Sequence, residues 1–186
     1  ARVAIAEERG YGSALMAGIA AARGRYILMG DADDSYDFRE IPRFDRAPRI
    51  GLELARRACA SEGAVELLER LGARSARLGI LTRNSHANAL ETLRVCGLLR
   101  FFDPACVVGR EAAAPKPDPD GIRKLLGEWR AAPVEAVMVG DYRYDLLAGR
   151  AAGTATVYVD TSGAFPFAEI ADVQVRSLVE LIDALA

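Results

Sequence analysis

The sequence predicts an α/β fold in which a parallel sheet is flanked by helices, and three observations predict it. Apolar runs of strand length alternate with segments of helical periodicity. At 186 residues and 51% hydrophobic side chains the chain is long enough to bury one full core. The residue types suited to chemistry fall just past the ends of the apolar runs, where open parallel sheets collect their ligands.

The strand candidates are Tyr26-Ile27-Leu28-Met29, Arg77-Leu78-Gly79-Ile80-Leu81, Cys106-Val107-Val108, Ala136-Val137-Met138-Val139 and Ala155-Thr156-Val157-Tyr158-Val159. Near-continuous runs rather than strict alternation fit strands covered on both faces. Between them, 61–71 places Val65, Leu67, Leu68 and Leu71 on a helical face, and 87–96 is a helix that starts behind Asn84 or Ser85 and stops at Gly97. Asp118 as N-cap and Pro119 as first helical residue open a helix through Leu125, Leu126 and Trp129. A further helix runs from Tyr144 to Ala152 and ends at Gly153, and Ser177-Leu178-Val179-Glu180 is a capping box for the last one. At the start of the chain, Val3 to Ala6, Ser13 to Arg23 and Tyr26 to Gly30 make a β-α-β unit, and 39–51, with Pro42 and Pro48, is an irregular connection.

Composition narrows the function. A net charge of -2 supplies no basic field for nucleic acid or anionic lipid, so neither is an expected partner. Cys59, Cys96 and Cys106 are odd in number, widely spaced and without a CxxC pair, which argues against a disulfide framework or zinc site and for a reducing, cytoplasmic setting. No charged, apolar and small-residue succession resembling a signal peptide opens the sequence, and no stretch approaches the ~20 apolar residues of a membrane span. A soluble protein is the expectation.

Three segments carry the candidate chemistry. Thr82-Arg83-Asn84-Ser85 follows the strand ending at Leu81, so the Thr82 hydroxyl and the next backbone N–H groups are placed to hold a phosphate oxygen, although an ordinary N-cap gives the same letters. Asp141 follows Val139-Gly140, with Asp145 one helical turn on; two carboxylates on one face with no base between them suit a hard cation such as Mg²⁺, or a solvated acidic turn. Lys116 stands among Pro115, Pro117 and Pro119, which reduces the entropy lost in fixing its ammonium; Lys116 and Lys124 are the only lysines. His86 reads as an exposed helix residue, and Trp129, Phe101 and Phe102 as packing residues. Gly10-Tyr11-Gly12 is too little for a dinucleotide fingerprint.

Taken together and in order, Leu-Thr-Arg-Asn, Lys-Pro-Asp-Pro and Val-Gly-Asp-Tyr-Arg-Tyr-Asp resemble the second, third and fourth motifs of the haloacid dehalogenase-like (HAD) hydrolases over residues 60–186. The resemblance implies a Rossmann-like parallel sheet of the HAD type with flanking helices and a cap domain absent or vestigial, since 33–61 is short for a cap. It also implies a Mg²⁺-dependent phosphatase acting on a small phosphorylated substrate. In that family the first motif is a strand followed by Asp-x-Asp-Gly-Thr, with the strand lying between those of the second and fourth motifs. Nothing in 47–186 supplies it.

Asp31-Ala32-Asp33-Asp34-Ser35, after Tyr26 to Gly30, is the one candidate, with Asp34 in place of Gly. By this resemblance Asp31 is the nucleophile that forms an aspartyl-phosphate and Asp33 the general acid and base. Thr82 and Lys116 offset phosphoryl charge, Arg83 and Asn84 join them in binding substrate, and Asp31, Asp33, Asp141 and Asp145 hold the metal. Residues 1–46 themselves resemble part of a family 2 glycosyltransferase of the dolichyl-phosphate mannose synthase type, through Arg9-Gly10-Tyr11-Gly12-Ser13-Ala14-Leu15, Ala22-Arg23-Gly24-Arg25-Tyr26 and Asp31-Ala32-Asp33-Asp34-Ser35-Tyr36. The expected organisation is therefore a glycosyltransferase-like β-α-β segment over 1–46 that supplies the central strand and a hydrolase core over 47–186. A non-catalytic hydrolase-like protein and a sugar-nucleotide-binding remnant are the competing readings.

Overall fold

The computed structural model describes residues 52–184 apart from Leu54. The chain divides into two units between Asp45 and Arg46, and the description concerns the second. The expected elements at 3–6, 13–23 and 26–30, the connection at 39–51, and Asp31 and Asp33 lie outside the described residues, as does most of the segment on which the cap expectation rests.

Strands and helices alternate as α1 (Ala64–Ala73), β1 (Ile80–Leu81), α2 (His86–Val95), β2 (Val107–Val108), α3 (Asp120–Trp129), β3 (Val137–Gly140), α4 (Arg143–Ala152), β4 (Ala155–Val159), β5 (Val173–Val175) and α5 (Leu178–Ala184). All pairing is parallel. β1 pairs with β2 (Ile80 opposite Val107), and β3, β4 and β5 form a second set in that order (Val139 opposite Val157, Val157 opposite Val173). Among the described residues β1 and β3 therefore each have one partner strand and one unpaired edge. On one face of β3, Val137 and Val139 remain 56% and 41% exposed.

Helices α3 and α4 join the two sets of strands. Ile122, Leu126, Ala148 and Ala152 form one buried cluster, and Leu81 of β1 and Met138 of β3 both pack against it. A second cluster, Ala89, Leu93, Phe102 and Val107, takes in Ile80 and Leu68 beside β1 and β2. The aromatic expectation holds here: Phe102 is buried, Phe101 packs on this cluster, and Trp129 donates its indole N–H to Cys106 Sγ at 3.3 Å.

Several elements differ from their sequence expectation for identifiable reasons. The run at 77–81 yields only two paired residues because its neighbour is equally short: Pro104–Cys106 turns in a 3₁₀ helix immediately before β2. β3 starts one residue late because Ala136 closes another 3₁₀ turn, donating its N–H to Pro133. In α1 the core face is Ala64, Leu67, Leu68 and Leu71 at helical spacing, and Val65 is 37% exposed, since positions two apart point to different faces. The α3 boundary moves by one residue, with Pro119 as N-cap, while the Asp118 carboxylate still accepts the Asp120 N–H at 2.9 Å. Ser177 Oγ accepts the Glu180 N–H as a capping box requires, but Glu180 reaches back to the N–H of Arg176 rather than to that of Ser177. β5, only three residues long, has no counterpart among the expected strands.

Among the described residues no helix is long and apolar enough to cross a membrane, and the three cysteines are free thiols.

Asp172 locks β4 at its entry. Its Oδ2 accepts both the backbone N–H and the hydroxyl of fully buried Thr156, each at 2.8 Å, and these bonds hold its carboxyl below the usual aspartate range. A depressed carboxyl contributes stability at neutral pH that is lost as pH falls through its folded value. Thermal unfolding followed from about pH 7 to about pH 3 should therefore show a shallower acid limb in Asp172→Asn than in the parent, with the variant less stable at neutral pH. Parallel limbs would refute this role.

Candidate active site

The carboxyl ends of β1 and β3 present the residues singled out in the sequence. Thr82 leaves β1 with its N–H still bonded to the Val108 carbonyl at 3.0 Å, and its Oγ1 accepts the N–H of Asn84 at 3.1 Å. The loop thus closes on itself before α2. Two of the first amides of that helix are also taken: Ser85 Oγ accepts from Asn88 at 3.2 Å, and the Glu111 carboxylate accepts from His86 at 3.1 Å. The N–H groups of Thr82, Asn84, His86 and Asn88 are thus satisfied within the protein, and among the described residues those of Arg83, Ser85 and Ala87 carry no such bond. The Arg83 N–H, the cationic side chains and the Thr82 O–H remain for an anion.

Lys116 reaches from the proline-framed loop to two acceptors, the Leu81 carbonyl at 3.0 Å and Asp145 Oδ1 at 2.5 Å. Both charged side chains are largely buried, 13% exposed for Lys116 and 9% for Asp145. The other Asp145 oxygen, Oδ2, accepts the Tyr142 N–H at 3.2 Å and so caps α4. Asp145 can come this close to the strand because residue 140 is glycine: a Cβ there would fall 2.6 Å from Asp145 Cγ and 2.8 Å from Oδ2. Asp141, by contrast, is exposed at the end of β3.

A cleft of about 400 Å³ opens at the ends of β1 and β2, lined among others by Thr82, Arg83, Arg110 and Lys116. The structure thus brings Thr82, Arg83 and Lys116 together, connects Asp145 to them through the lysine, and leaves Asn84 exposed, joined to the neighbouring loop by its carbonyl, which accepts the Arg110 N–H at 2.9 Å. Among the described residues no three His, Cys, Asp or Glu side chains gather closely enough to hold a metal. Arg110 and Glu111 were not singled out from the sequence. The signal was present, because Gly109-Arg110-Glu111 follows Val107-Val108 as Thr82 follows Leu81. His86 opens α2, exposed as expected, and its Nδ1–H donates to the Val107 carbonyl at 2.8 Å.

Residues 44–159, more than half of the chain, match the family pattern of the haloacid dehalogenase-like hydrolases. The chain belongs to this family. Residues 2–45 separately match glycosyl transferase family 2. Among curated relatives, pyrophosphatase PpaX of Bacillus velezensis is 36% identical over 98 residues, which are 53% of this chain and 45% of that protein. The chain spans about half the length of the curated relatives it matches. The structure resembles the HAD phosphatase of Thermococcus onnurineus with a TM-score of 0.61 at 31% identity, covering 67% of this chain and 57% of that one. It also resembles a HAD-superfamily hydrolase of subfamily IA from Geobacter sulfurreducens, with a TM-score of 0.62 at 27% identity and 83% and 81% coverage. Parallel strands with flanking helices are the Rossmann-like arrangement of these hydrolases, as the sequence implied.

Gly140→Ala should push Asp145 off the strand end and loosen its contact with Lys116. The expected cost is about 1–3 kcal/mol, read as a lower urea midpoint at unchanged slope. A variant as stable as the parent would contradict this close approach.

Proposed function

We propose that this chain is a phosphomonoester hydrolase of the HAD type, acting on small phosphorylated molecules through an aspartyl-phosphate. The observation that carries the reading is the buried ammonium of Lys116, held between Leu81 and Asp145 at the edge of a cleft shared with Thr82. A fixed cation and a hydroxyl donor at one cleft match the charge that develops on a phosphoryl group in flight. Family membership and the pyrophosphatase and phosphatase relatives support the same class.

In this reading Asp31 attacks phosphorus, the P–O bond to the leaving group breaks, and Asp33 donates a proton to the departing oxygen. Asp33 then takes a proton from the water that hydrolyses the aspartyl-phosphate, releasing inorganic phosphate and restoring both carboxyls. Thr82 donates to a phosphoryl oxygen, with Arg83 and Asn84 beside it, and Lys116 balances its charge. Asp145 holds Lys116 in place, a positioning role that its two hydrogen bonds support.

The chemistry of the donors fits a hard cation in part. Asp141 offers exposed carboxylate oxygens at the end of β3, and the oxygens of Asp145 already carry Lys116 and an amide. Asp141 with Asp31 and Asp33 would hold Mg²⁺, with Asp145 supporting them; when bound, the ion supplies positive charge beside the phosphoryl oxygens. The two family matches meet at residues 44–45, which supports a boundary near residue 46; in this reading the 1–46 segment provides the first motif and 47–186 is the hydrolase core.

Hydrolysis of p-nitrophenyl phosphate with and without Mg²⁺ tests the proposal. The parent should turn over with Mg²⁺ and stop in EDTA, Lys116→Ala should lose about 10²-fold or more in kcat/KM, and Asp31→Asn should be inactive while exposed Asp183→Asn is not. A parent inactive at every Mg²⁺ concentration would leave a hydrolase-like protein without turnover.

The family 2 match of residues 2–45 favours a second reading, in which Asp31 and Asp33 bind a sugar nucleotide through a divalent metal. Calorimetry with UDP- and GDP-sugars and Mn²⁺ should then show heat, and a flat titration removes this reading.

A further inference from the structure

The cleft beside Thr82 is lined by three cationic side chains, Arg83, Arg110 and Lys116. Lys116 is matched by Asp145. Arg83 and Arg110 line the same cleft and are not so matched. Arg83 is exposed and makes no hydrogen bond or ion pair among the described residues. The guanidinium of Arg110 has a single 3.5 Å contact, with the Glu111 carboxylate, and both side chains are more than half exposed.

The backbone beneath these two arginines is tightly tied. Thr82 N–H bonds to Val108, Arg110 N–H bonds to Asn84, and His86 bonds twice across the gap, through its N–H to Glu111 and through Nδ1 to Val107. Gly109 presses against the start of α2 so closely that a Cβ would lie 2.5 Å from the His86 nitrogen, which no side chain tolerates. The two arginine stems therefore rise from one rigid corner, and a ligand would have to order only their side chains, not the loops. Glu111 offsets Arg110 only in part and leaves Arg83 uncompensated. Its own N–H and that of His86 lower its carboxyl pKa before Arg110 does, so it stays anionic, but one oxygen is committed to the helix start and the contact with Arg110 is a single one at 3.5 Å.

We propose that Arg83 and Arg110 bind a second anionic group of the substrate, so that the preferred ligands carry a carboxylate or a second phosphoryl group beside the one held by Thr82 and Lys116. Arginine suits this task because its planar fork pairs with both kinds of anion through two parallel hydrogen bonds. The inference rests on the phosphatase reading for the first anion, but it is tested by binding rather than turnover.

Calorimetry in metal-free buffer compares methylphosphonate, which has one anionic group, with phosphonoacetate and methylenediphosphonate, which add a carboxylate and a second phosphonate. The parent should bind at least one of the latter two about tenfold or more tightly than methylphosphonate. Arg110→Ala should abolish that difference and Arg110→Lys should keep part of it; the tighter of the two probes identifies the second anion. Equal affinities for all three in the parent, absence of binding, or a difference that survives Arg110→Ala overturns the proposal. Turnover of p-nitrophenyl phosphate without this discrimination would sink the subsite alone. Discrimination without turnover would sink the phosphatase reading alone.

Discussion

The contact between Lys116 and Asp145 constrains the rest of the described structure more than any other. It ties the proline-framed loop, the end of β1 through the Leu81 carbonyl, and the first turn of α4 to one point. The exposed pairs Arg70–Glu66 and Lys124–Asp120 lie along single helices, where water screens them and they hold little in place. A largely buried pair is different in kind. Removing one partner leaves an uncompensated charge, at a cost of about 3–5 kcal/mol, so each member holds the other in place.

That arrangement explains local choices that otherwise look arbitrary. Residue 140 must be glycine for the Asp145 side chain to lie against the strand, and Tyr142 must donate its N–H for the second carboxylate oxygen to be satisfied. The same economy governs the start of α2, where Ser85 and Glu111 satisfy two of the helix amides and the side chains of Thr82, Arg83, Arg110 and Lys116 line the cleft.

The strands tell a related story. β1 and β3 carry the second and fourth motifs, pack on one shared cluster, and each has an unpaired edge among the described residues. Valines on β3 that would be covered inside a parallel sheet stay half exposed. The described residues thus show a hydrolase scaffold whose flanking strands are complete on their outer sides only.

Much of this was legible in the order of residues. β4 was legible to the residue, Ser85 and Gly153 bound their helices, and the carboxyl ends of the runs pointed to Thr82, Lys116 and Asp141. What was misread has a common cause. Val65, the start of α3 and the partner of Glu180 depend on which face or which amide a neighbour occupies, and three-residue β5 is too short to show a period.

The sequence by itself determined the alternation of strands and helices, the motif residues and hence the family, because periodicity and local turn chemistry are written along the chain. Only the tertiary structure decided that Asp145 turns to Lys116 while Asp141 stays exposed, that Glu111 takes the His86 amide, and that Arg110 joins Arg83 at the cleft. Those outcomes turn on distances between residues dozens of positions apart, and no local preference encodes such a distance.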